Sequence, residues 1–173
     1  MTIFQTVRNW QAAPELLRRH RYGVIDAADG RLRRVVLRPI PMWPLPPELR
    51  LAGWCYHRYW PADRCRIYYN QPRRFPQFLA VPYILSGQGT RWATVRRALE
   101  ALEYIARLKG VDALLCDVAN RRISAKIMAR WGWEPHCPSR WHRHFIKRFY
   151  SREPLEHTPP PAVPSAGQAA QST

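Results

Sequence analysis

From residue 92 the apolar side chains fall at Trp92, Val95, Ala98, Leu99, Leu102, Ile105 and Ala106. Steps of three and four bring such residues onto one side of a helix. Arg96, Arg97, Glu100, Glu103 and Arg107 take the other side, so the pattern predicts a long amphipathic helix laid on a core. Thr90 is its predicted N-cap, and Gly110 its predicted left-handed stop after Lys109. The apolar run at residues 113–118 has the length of a strand. Asn120 is then predicted to cap a second helix, with Ile123, Ile127, Met128 and Trp131 turned inward and Gly132 ending it. A last strand is predicted over residues 142–150.

Upstream the period shortens. Residues 64–70 read Arg-Cys-Arg-Ile-Tyr-Tyr-Asn, rich in strand formers. With similar runs at 49–58 and 77–84 and short connections between them, the pattern predicts an antiparallel meander. Residues 32–37 read as a strand leaving an Asp29-Gly30 turn, and residues 14–20 as a short helix with Pro14 in its first turn. Pro39, Pro41, Pro44, Pro46 and Pro47 exclude regular structure through residue 47, because proline fixes φ and removes a donor. Residues 151–173 are proline-rich and polar, with too little to bury to offset their ordering entropy, and a disordered tail is predicted. The reading is one α+β domain over residues 1–150. Its sheet is mixed and mostly antiparallel, and its C-terminal half runs strand–helix–strand–helix–strand.

Composition narrows the function classes. A chain of 173 residues that is 46% hydrophobic supports one compact core. No stretch approaches the ~18 apolar residues of a membrane helix. The first residues lack a basic start and a long apolar run, so a cytoplasmic protein without a membrane partner is expected. The formal net charge of +16 attracts anions at long range. All but three of the 28 basic residues are arginine, which a GC-rich coding bias also produces. Cys55, Cys65, Cys116 and Cys137 form no Cys-x-x-Cys pair and read as small buried hydrophobes. His136, His142 and His144 lie near Cys137 without the paired spacing of a zinc site, and no metal is expected.

The junction of residues 81–91, Val-Pro-Tyr-Ile-Leu-Ser-Gly-Gln-Gly-Thr-Arg, carries the first chemical signal. A strand ends, two glycines allow close backbone approach, and a helix begins with amides and a positive dipole end directed at an anion. Together with the element order that follows, this resembles the GNAT superfamily, the Gcn5-related N-acetyltransferases. Val81, Gly87 and Gly89 fall at that family's spacing before the long helix, and Asn120 falls near the start of the second helix. Trp131-Gly132-Trp133 stands where the family has Leu-Gly-Phe. The resemblance covers residues 77–150, and residues 1–48 match poorly.

The resemblance implies a splayed sheet, an acetyl-CoA or other acyl-CoA donor, and an amine acceptor. The pantetheine would run along the strand near Val81. The diphosphate would rest on the amides of Gly87, Gln88, Gly89, Thr90 and Arg91, with Asn120 also near the cofactor. Arg96 and Arg97 would add positive charge. Ser86 replaces the family's Gln or Arg, and Arg91 replaces a small residue. Met128 stands where a tyrosine commonly acts as general acid. Acyl transfer needs a base for the amine and a proton for the leaving thiolate, although positioning alone contributes rate. Tyr83, Asp117 and Cys116 are the nearest titratable candidates.

A second reading comes from residues 120–150, where eight basic residues face Glu134 alone. Arg122, Lys126 and Arg130 are four apart on one helical face, and Trp133, Trp141, Phe145 and Tyr150 are interleaved. That composition suits nucleic acid or a ribosomal surface. A third reading gives Trp10, Trp43, Trp54 and Trp60 to a partner protein.

Overall fold

The computed structural model describes residues 4–41, 63–87, 89–118, 124–137 and 143–149. Among them eight strands form one sheet: β1 (Gln5–Val7), β2 (Tyr22–Ala28), β3 (Arg31–Arg38), β4 (Arg64–Asn70), β5 (Phe78–Ser86), β6 (Ala113–Asp117), β7 (Glu134–Pro135) and β8 (His144–Arg148). The helices are α1 (Pro14–Arg19), α2 (Trp92–Leu108) and α3 (Ala125–Arg130). The strand order is β1-β3-β2-β4-β5-β6-β8-β7. Every neighbouring pair is antiparallel except β5 and β6, which the α2 crossover makes parallel. This is the fold class expected from the sequence.

The β2–β3 hairpin turns at Asp29 and Gly30, whose φ values of 54° and 71° supply the two left-handed residues of a tight hairpin. β2 itself carries no clear strand signal, because Gly23, Asp26 and the alanines dilute its β-branched residues. It forms because β3 and β4 flank it. At Gly23 the backbone comes so near the Tyr69 ring that a Cβ would meet its hydroxyl at 2.5 Å. The meander prediction is met by the antiparallel β4–β5 pair, and the other edge of β4 pairs with β2; its remaining strand was expected from residues 49–58. That segment, the tail, and Gln88, Asn120, Arg122, Ile123, Trp141, His142 and Tyr150 lie outside the described residues.

Alternation along the strands sends Ile25, Ala27, Val35, Leu37, Cys65, Ile67 and Tyr69 to one face. There they pack on Ala98, Ala101, Leu102, Ile105 and Ala106 of α2. The helix ends as predicted at Gly110, with φ 63°. Its start differs: Arg91 is the N-cap, and the Thr90 hydroxyl instead donates to the Arg64 carbonyl. Trp92, counted on the inward side, is 46% exposed and stacks on Trp131 with ring centroids 4.5 Å apart. The second helix is capped by Ser124, whose Oγ accepts from the Ile127 amide, and not by Asn120. It buries Met128 and stops at Gly132, φ 76°.

Candidate functional site

β5 and β6 stay in register only from Phe78↔Ala113 to Val81↔Cys116. β5 continues along β4 as far as Ser86, opposite Cys65. Between the Tyr68↔Tyr83 and Asn70↔Ala80 pairs, one residue of β4 faces Val81 and Pro82 together, which is a bulge that bends β5. Pro82 has no amide to offer β6. The strands therefore part after Val81. Where they part lies a cavity of about 270 Å³ walled by Val81, Pro82, Cys116, Asp117, His136 and His144, among others.

The β6–β8 ladder sets His144 opposite Asp117, and the His136 amide donates to the His144 carbonyl at 2.9 Å. Two imidazoles, a carboxylate and a thiol thus share one opening. In the sequence His136 and His144 read only as metal-ligand candidates. Their meeting at this opening depends on strand pairings between distant segments, and local spacing gave no sign of it. Burial first, and then the Asp117 charge, push the Cys116 thiol up to about 12, so it stays protonated and a poor nucleophile near neutrality. Tyr83 is not among the cavity walls; its ring lies 6.4 Å from that of Tyr68.

At the glycine elbow the structure departs from the expected row of open amides. The Arg91 amide donates to Asp63 Oδ1 at 2.9 Å and the Arg91 Nε to Oδ2 at 2.7 Å, while the Thr90 amide donates to the Gly87 carbonyl. The same Asp63 carboxylate is hydrogen-bonded by Thr94, whose Oγ1 accepts from the Gly30 amide. A side-chain carboxylate therefore already occupies part of the anion position at the start of α2. Burial alone would raise the Asp63 pKa, but the bonds from Thr94 and Arg91 outweigh it and hold the carboxyl below its ordinary range. The amides of Gly89, Trp92 and Ala93 have no partner among the described residues. The Arg91 side chain is engaged by Asp63. Arg96 and Arg97 both pair with Glu100 on the exposed side of α2.

Lys126 and Arg130 are exposed, with no ion pair among the described residues. The aromatics meant to stack on bases do otherwise: Trp133 and Phe145 are buried in the core. Trp10 packs edge-on against Tyr104, 4.6 Å between centroids. Cys65 is buried as expected, whereas Cys137 is exposed, with its Sγ 3.5 Å from His136 Nε2. Among the described residues no group of three His, Cys, Asp or Glu side chains could hold a metal ion, and no helix is long and apolar enough to cross a membrane.

No family model and no curated protein matches the chain. Among solved structures it is similar to one described as "Crystal structure of a putative phosphinothricin N-acetyltransferase". The two share 15% identity over 62% of this chain and 84% of the other, with a TM-score of 0.38.

Proposed function

We propose that the chain is an acyl-CoA-dependent N-acyltransferase acting on an amine at the parting of β5 and β6. The observation that carries this reading is the parting itself: a parallel pair opened at a bulge, ending beside the first turn of a long helix. Beyond Val81 no strand among the described residues pairs with the β5 edge that faced β6, and a pantetheine arm is the length and polarity of chain that can lie along such an edge. The diphosphate falls to the Gly89, Trp92 and Ala93 amides, displaced by one turn position from where the sequence put it, because Asp63 holds the Arg91 amide. Bound acyl-CoA supplies the activated thioester. The chain's own part is to hold the amine beside it and to move a proton. His144, opposite Asp117 and with His136 alongside, is the assigned base, and Cys116 is assigned no covalent role. The nucleic-acid reading rests on Lys126 and Arg130 alone among the described residues and is the weaker one.

Millimolar acetyl-CoA is expected to raise Tm, since a ligand that binds only the folded chain stabilises it, and Gly89→Trp to abolish the rise. In an acetyl-transfer assay with amine acceptors, His144→Gln is expected to lower kcat about 10²-fold or more, with Cys116→Ser near wild type. No shift with any acyl-CoA, or an undiminished shift in Gly89→Trp, defeats the proposal.

A further inference from the structure

The face of the sheet turned away from α2 has a second opening. Alternate residues of β2, β3 and β4 point there: Val24 and Asp26, then Arg34, Val36 and Arg38, then Arg66 and Tyr68. With Phe4 they wall a cavity of about 350 Å³. Asp26 lies at its floor, 2% exposed. Arg64 grips this carboxylate with both Nε, 2.7 Å from Oδ1, and Nη2, 2.5 Å from Oδ2. Arg34 adds its Nε at 3.2 Å, and the Arg66 Nε stands 3.5 Å away.

One bidentate arginine is enough to neutralise a buried carboxylate. Here three guanidinium groups crowd a single negative charge, and Arg38 lies with its guanidinium carbon 6.0 Å from the Tyr68 ring. A structural ion pair gains little from two further like charges held close in a half-buried setting, where they repel. Arg34 and Arg66 meet Asp26 only through Nε, and the Nη groups of both have no partner among the described residues. Asp26 thus acts as an anchor that fixes two arginines, both of which line the cavity. Val24, Val36 and Phe4 give the same cavity an apolar side.

We infer that this pocket binds a compact dianion on an apolar stem, either a phosphate monoester or a dicarboxylate. Arginine forks recognise both groups bidentately. The surplus of positive charge around Asp26 matches the charge such a group brings. The site is separate from the β5–β6 parting and does not depend on acyl transfer.

The test titrates the full chain by calorimetry with phenyl phosphate, phthalate and inorganic phosphate, against sodium chloride at matched ionic strength. Saturable one-site binding of phenyl phosphate or phthalate, with Kd at or below about 1 mM, is expected, and which of the two binds tighter identifies the anion. Arg34→Gln and Arg66→Gln are each expected to weaken it about tenfold, while Arg97→Gln on the α2 surface leaves it unchanged. Arg34→Gln keeps the Arg64 grip on Asp26, so it remains informative if Arg66→Gln fails to fold. Binding no better than chloride, or equally tight binding by Arg34→Gln, overturns the inference. Displacement of the probe by CoA also overturns it as a separate site, whereas loss of the acetyl-CoA response alone leaves it standing.

Discussion

Tyr69 shows how one residue can be at odds with its surroundings while the fold persists. Its ring is fully buried under α2, yet its hydroxyl makes no hydrogen bond among the described residues. Burial pushes its pKa upward, so it stays neutral. An unpaired buried hydroxyl costs free energy, and deleting it recovers that cost without opening a space larger than one oxygen. Tyr69→Phe is therefore expected to leave Tm unchanged or higher, by calorimetry or circular dichroism, and a clear fall would mean the hydroxyl has a partner. The sequence placed Tyr69 correctly on a strand by its β-propensity. That its oxygen faces Gly23, forty-six positions earlier and two strands' pairing away from any local rule, was legible only once β2 and β4 were paired.

The elements were readable where the apolar period was long. Helix α2 starts at Trp92, one residue past the start that a Thr90 cap implies, and ends before the predicted Gly110, because seven apolar residues at helical spacing leave no competing pattern. Its cap was misread for a physical reason: the group that serves the first turn, Asp63, belongs to the residue before β4 and reaches it through tertiary folding. Asp63→Ala should remove that bond and the Thr94 contact, lowering stability by about 1–2 kcal/mol. That corresponds to a fall in Tm of roughly 2–8 °C, with far-UV circular dichroism keeping its native form. If Asp63→Ala is as stable as wild type, the carboxylate does not cap α2. Asn120 and Ser124 tell the same story on a smaller scale. Both residue types suit a helix start, and the described cap is the one whose oxygen meets the Ile127 amide.

For the molecule as a whole, two carboxylates tie the N-terminal strands to each other and to α2. Burial alone would raise the Asp26 pKa, but Arg64, Arg66 and Arg34 outweigh it, and Asp63 behaves alike with Thr94 and Arg91. Both folded values lie below the ordinary 3.8. The stability they contribute is complete above that pH and is lost as pH falls through the lower folded values. Acid unfolding is therefore expected to steepen below about pH 4, and Asp26→Asn to flatten it; an unaltered acid limb in that variant contradicts the assignment. By itself the sequence determined the α+β class, the strand–helix–strand–helix–strand half and the turn at Asp29-Gly30, since periodicity and left-handed turn residues act over a few positions. Only the tertiary structure decided that β2 lies between β3 and β4, that β5 and β6 part after Val81, and that His144 meets Asp117 there. It alone put Arg34, Arg64 and Arg66 around Asp26. Those facts belong to strand registers between remote segments, where side-chain alternation across a sheet fixes which groups share a face and no local pattern records it.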